Sequence, residues 1–159
     1  MLVKDAARIA AEETLNNYWD GEFPVDPVAI ARAKNLDVRF AVLKDGVSGA
    51  IVAETGKAPI ILVDSTENYG RQMFTTAHEI GHYVEREKAG DTEYSFVETR
   101  SRKYDLREFY ADEFAGNLLM PESAFRIKYK DTGSQFLTAS HFAVSVQAVK
   151  KRLERLGIA

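Results

Sequence analysis

The sequence predicts an α+β fold: a small three-stranded meander sheet packed on a pair of helices, with a helix-turn-helix-like helical unit at the C-terminus. Two observations carry this. The apolar period is two between residues 36 and 64, in three short runs separated by Gly- or Pro-bearing turns. On both sides of that stretch the period is helical, and residues 135–157 read as two short helices around a tight turn.

Residues 4–18 form an amphipathic pattern through Ala7, Ile9, Ala10, Thr14, Leu15 and Tyr18, and residues 19–24 read as a linker. Asp26 is a natural N-cap with Pro27 at the first helical position, leading into VAIARAKNL. The runs LDVRFAVL, VSGAIVAE and PIILVD follow as strands in meander order, divided by KDGVSG and TGKAP. A long helix is expected from Glu67 to about Glu87. Residues 88–104 are polar and charged without a clear period and read as a loop. Leu106, Phe109, Tyr110, Phe114, Leu118 and Leu119 mark a further helix that Pro121 stops, and two or three more helices close the chain.

A chain of 159 residues suits one domain able to bury a core without staples. With no cysteine, disulfides and thiolate metal sites are excluded, so any metal must be held by His, Asp or Glu. The N-terminal segment MLVKDAARIAAEETL is interrupted by charges, and no later run approaches the roughly 20 apolar residues of a membrane span. The expectation is a soluble, unexported, cytoplasmic protein without a membrane partner. A net charge of −3 gives no general attraction to nucleic acid.

Chemistry concentrates in FTTAHEIGHYVE, residues 74–85, which holds two of the three histidines. Four residues is just over one helical turn, so His78 and His82 project from one face. Met73, Ala77, Ile80 and Val84 form an apolar stripe beside them, which assigns the neighbouring face to the core. Glu79, rotated by roughly 100° from His78, cannot share that ion as a ligand but can reach a water bound to it. This is the H-E-x-x-H arrangement of zinc hydrolases. Gly81 costs helix propensity and suggests the close approach of another backbone, such as a strand edge over the metal.

A catalytic zinc normally has three protein ligands and a water. His141 is a candidate for the third, and so are many carboxylates. Glu108 and Asp112 lie four apart on the helix after the loop, with small Ala111 and Ala115 allowing that helix to lie close to the histidines. There Glu108 could bind the metal while Asp112 accepts the far N–H of a ligand histidine. An ordinary solvated acidic face would show the same spacing.

The stretch RQMFTTAHEIGH, followed after a loop by EFYADEFAGNLLMP, resembles the ImmA/IrrE family of phage- and mobile-element-associated metallopeptidases. Arg71, Phe74, Thr75, Ala77, the metal pentapeptide, Glu108, Ala111, Phe114, Ala115 and residues 118–121 match its pattern. The three strands and the C-terminal FAVSVQAVKKRLERLG match as well, so the resemblance spans nearly the whole chain. It implies a single zinc metallopeptidase-like domain over residues 1–159, with a zincin-like helix pair and a helix-turn-helix-like subregion at 133–159. It further implies Zn²⁺ held by His78, His82 and Glu108, with Glu79 as general base, in a gluzincin-like site. One departure is that the family commonly has Asn at the position of Asp112. Asp there resembles the ExxxD helix of thermolysin-like peptidases and fits the supporting role.

In the C-terminal unit a turn near Ala143 precedes a helix capped by Ser145, and residues 150–155 carry four cations and one acid. Val146, Val149, Leu153 and Leu156 recur as a core stripe, so the unit reads as packing first and DNA contact as secondary. His141 is assigned to it. The functional expectation is a zinc endopeptidase whose protein substrate, by the family resemblance, is a helix-turn-helix repressor cleaved to relieve repression. Tyr83, Tyr104, Tyr110 and His141 are all candidates to stabilise the oxyanion. One rival is a non-proteolytic metal-containing regulator that binds a repressor or DNA. Another is a non-haem iron oxygenase built on two histidines and a carboxylate, in which Glu79 would have no role.

Overall fold

The computed structural model describes residues 1–99 and 104–158. Its elements run α1 (Val3–Tyr18), α2 (Pro27–Ala33), β1 (Asp37–Ala41), β2 (Val47–Ala53), β3 (Ile60–Asp64), α3 (Tyr69–Lys88), β4 (Tyr94–Thr99), α4 (Leu106–Leu119), α5 (Glu122–Thr132), α6 (Gln135–Phe142) and α7 (Val146–Arg155).

Local chemistry sets the helix ends. Asp26 Oδ1 accepts from the Val28 and Ala29 amides ahead of Pro27, and Asn68 accepts from Arg71 N to begin the histidine helix. Asp105 accepts from Glu108 N at 2.9 Å, which fixes the first turn of α4 and with it the backbone of Glu108. Residues 135–157 form the two helices expected of them: Ala143 closes α6 in the left-handed region, and Ser145 caps α7.

The sheet corrects the meander. It has four strands in the order β1-β3-β2-β4, with β1 parallel to β3 and the other pairings antiparallel. β3 sits between β1 and β2 because its side chains stay half-buried or buried throughout, whereas Arg39, Phe40 and Ala41 of β1 are exposed and suit an edge. β4 lies within the stretch expected to be a loop; residues 100–103 of that stretch fall outside the described residues. Its inward positions are Tyr94, Phe96 and Glu98, and a glutamate facing inward hides the strand period from a reading based on apolar alternation.

α3 is the central element. It packs on β2 and β3 on one side and on α4 on the other, while α1 covers α4. Its apolar stripe Met73, Ala77, Ile80 and Val84 is buried, with Ile51, Ile61 and Val63 from the sheet in the same core. The close approach at Gly81 is made by α4, not by a strand edge: a Cβ there would lie 3.0 Å from Ala111 Cα and 3.2 Å from Ala111 O. The small pair Gly81 and Ala111 brings α4 close enough for Glu108 and Asp112 to reach the histidines.

Candidate metal centre

His78 and His82 stand one above the other on α3, their ring centroids 4.8 Å apart. Both are buried, and both direct Nε2 at the same point. Glu108 closes on that point from α4, with Oε1 3.1 Å from His78 Nε2 and Oε2 3.0 Å from His82 Nε2. A fourth group arrives from β4. Glu98 Oε1 lies 3.0 Å from His78 Nε2 and 3.1 Å from His82 Nε2. One ligand atom from each of these four residues lies within 4.8 Å of every other.

Asp112 sits one turn beyond Glu108 and accepts from His78 Nδ1 at 2.8 Å, which leaves Nε2 of a neutral ring as a bare lone pair. Tyr104 OH donates to the other Asp112 oxygen at 2.9 Å, and Lys151 Nζ lies 3.8 Å away. Among the described residues His82 Nδ1 has no hydrogen-bond partner, and the ring stacks on Phe96, with centroids 4.2 Å apart.

The electrostatics follow from crowding acids and imidazoles in a buried volume. Burial opposes the charged form of His78, but hydrogen bonds to Asp112, Glu108 and Glu98 outweigh it and raise its pKa well above the ordinary histidine value. His82 is raised by the same balance. Burial pushes Glu98, Glu108 and Asp112 upward, yet the neighbouring histidines carry all three below the usual carboxylate range. Glu79 differs. Burial lifts it to about 8 against the pull of His78, and neither of its oxygens has a hydrogen-bond partner among the described residues.

Two imidazole nitrogens and two carboxylates aimed at one point repel unless a cation or protons lie between them. That donor set, oxygen and nitrogen without sulfur, suits a divalent metal. The fully buried Glu79 carboxylate beside it, without a partner of its own, fits a site completed by a metal and its bound water.

A cavity of about 650 Å³ opens beside the cluster, with His78, Glu98, Tyr104, Asp112, Arg71 and Lys151 in its lining. Of the four oxyanion candidates only Tyr104 lines it. Tyr83 donates to Glu87 on another face, Tyr110 is buried, and His141 packs on Phe23 and Phe142 in the C-terminal unit. The cations of residues 150–155 do not form one free basic patch. Arg152 is buried, donating to Met120 O and Asn117 Oδ1, and Arg155 pairs with Glu113. Sequence reasoning missed Glu98; the signal present was the alternation of Tyr94 and Phe96 leading to it.

An α+β frame that brings a buried His-His-Glu-Glu group together from α3, α4 and β4 defines a metallopeptidase-like domain. The family model for peptidase family M78, described as the IrrE N-terminal-like domain, matches residues 31–154, and the chain belongs to this ImmA/IrrE family. No protein with a curated description matches the sequence. Among solved structures, one described as a Mycobacterium tuberculosis transcriptional regulator matches with a TM-score of 0.67 and 17% identity, over 94% of this chain and 46% of that one. The likeness is one of fold, and this chain spans less than half the length of that protein. Among the described residues no helix is long and apolar enough to cross a membrane.

Proposed function

We propose that the protein is a zinc-dependent endopeptidase in which His78, His82 and Glu108 hold the metal and Glu79 is the general base. The observation that carries this is Glu79 itself: fully buried, one residue from His78, both oxygens without a partner. Such an isolated carboxylate costs stability and is retained where it has work to do.

A bound zinc ion polarises a scissile carbonyl and brings the pKa of a water toward neutrality. Glu79 Oε takes the proton of the attacking water and returns it to the leaving amine nitrogen. Asp112 holds His78 in the tautomer that leaves Nε2 free, and Tyr104, which donates its one O–H to Asp112 and accepts from Arg155, steadies that carboxylate at the cavity wall. We take residues 1–159 as one such domain, with 133–159 as its helical subregion; the reading is supported by α7, which lines the cavity through Ala148 and Lys151. By the family resemblance, the substrate is a helix-turn-helix repressor.

The similar structure's description as a transcriptional regulator favours one second reading, a regulator that binds without cleaving. Glu79→Gln separates the two. In a peptidase this variant folds, keeps zinc and binds its repressor substrate but leaves it intact, a loss of about 10² to 10⁴-fold in cleavage. Equal derepression by wild type and Glu79→Gln, with no repressor fragments by mass spectrometry, would retire the peptidase reading.

A further inference from the structure

The charges that wall the cavity beside the cluster are not equivalent. Among the described residues four cations and three acids line it. The acids are all engaged, Glu98 and Asp112 by the histidines and Glu113 by Arg155. Two of the cations are engaged as well: Arg152 is buried on Met120 O and Asn117 Oδ1, and Arg155 holds Glu113. That leaves Arg71 and Lys151, whose side chains are 50% and 53% exposed.

Both line the cavity with donors to spare. Arg71 Nε donates to Glu67 at 3.0 Å and Nη2 to Ser48 Oγ at 3.4 Å, which fixes the guanidinium while Nη1 makes no hydrogen bond among the described residues. Lys151 Nζ stands 3.8 Å from Asp112 Oδ2, beyond hydrogen-bond range, and that oxygen already accepts from Tyr104. Arg71 lies seven residues before His78 on α3, so it shares the histidine face about 10 Å along the helix axis. An extended peptide covers that distance in about three residues. Lys151 is nearer the cluster, since its neighbour Asp112 bonds His78 directly. The starts of α3 and α7 abut, a Cβ at Gly70 lying 3.4 Å from Ser145 N, so the two helices wall one end of the same space.

We infer that this end of the cavity selects acidic residues: the substrate is a protein segment with a glutamate or aspartate within about three positions of the bond to be cut, its carboxylate held by Arg71 or Lys151 according to its place. The inference rests on the peptidase reading and narrows its substrate. Charge-assisted hydrogen bonds in a cavity wall are stronger than exposed ion pairs, so the preference registers as affinity.

The test uses the zinc-loaded full chain and short alanine peptides, blocked at their ends, that carry a hydroxamate to anchor them on the metal. One set has the hydroxamate at the C-terminus and the other at the N-terminus through a succinyl group, so both sides of the cluster are sampled. In each set a single glutamate replaces the first, second or third alanine. At least one glutamate probe binds about threefold or more tighter than its alanine parent, and the gain shrinks as salt rises. Arg71→Gln with Lys151→Ala removes the gain, and the charge-conserving Arg71→Lys with Lys151→Arg keeps it. Each gain is a ratio of two probes on one protein, so a variant's change in zinc affinity cancels. The wild-type comparison decides the inference even where a double variant does not fold. If no glutamate probe reaches that gain, or if the gain survives loss of both cations, the inference is overturned. A gain confined to an alanine probe with a free terminal carboxylate also overturns it, since the cavity would then take a chain end. Absence of repressor cleavage would retire the peptidase reading, whereas the order of the probes reports on the cavity independently.

Discussion

His78 and Asp112 are joined by a 2.8 Å hydrogen bond from ring Nδ1 to carboxylate oxygen across a sequence separation of 34 residues. The bond ties the histidine helix to α4 and sets the tautomer that aims Nε2 at the cluster. Asp112→Ala should therefore keep the fold and bind zinc about 10 to 100-fold more weakly. Asp112→Asn, which retains an accepting oxygen, should recover most of that loss. Competition titration with a zinc chelator measures both, and unchanged affinity in Asp112→Ala would reduce the residue to a surface acid.

The ligand assignment predicts one zinc per chain, lost in His78→Ala, His82→Ala and Glu108→Ala and retained in Glu79→Gln. Elemental analysis after dialysis decides it. Stoichiometric zinc in Glu108→Ala would move the third position to Glu98, which approaches the same two nitrogens.

Asp105 caps the turn that carries Glu108. Asp105→Ala should cost about 0.5–2 kcal/mol in denaturant unfolding. It should also weaken zinc binding, because the Glu108 backbone loses its tether. A stability loss with unchanged metal affinity would show that α4 is positioned by its packing alone.

Gly49→Ala places a methyl 2.5 Å from Thr75 Cγ2 and 2.8 Å from the Leu62 carbonyl oxygen. Backbone on one side and a buried threonine on the other leave little room to give, so the variant should lose about 1–3 kcal/mol. Thermal unfolding of the apo chain reports this without reference to catalysis. A neutral result would mean that β2 can lift from α3.

Arg152 is an arginine used as a core residue, 4% exposed, its pKa pushed down to about 10 by burial. Removing it in Arg152→Ala strands the Met120 carbonyl and the Asn117 side-chain oxygen, at a cost of about 1–3 kcal/mol each. Lys150→Ala, at an exposed neighbouring position, should change stability by no more than about 0.5 kcal/mol. Similar small losses in both would show that the buried Arg152 contributes no more than the other cations of residues 150–155.

The sequence by itself determined what local periodicity and capping can determine. The spacing of His78 and His82 places both rings on one face, Glu79 falls on the next, and Glu108 and Asp112 share a face of the helix after the loop. The strands β1, β2 and β3 and the turn at Ala143 were legible because each is written in consecutive residues. What only the tertiary structure decided is which separate pieces meet. Strand order is a matter of pairing, and the more protected β3 went between β1 and β2 where chain order suggested a meander. Gly81 announced a close neighbour, but the packing selected α4 for that place. Glu98 sits in a charged segment, and only the short alternation of Tyr94 and Phe96 leads to it. It becomes part of the site because β4 pairs with β2 and a strand's alternation then points every second side chain at α3, a consequence of non-local hydrogen bonding that sequence spacing does not encode.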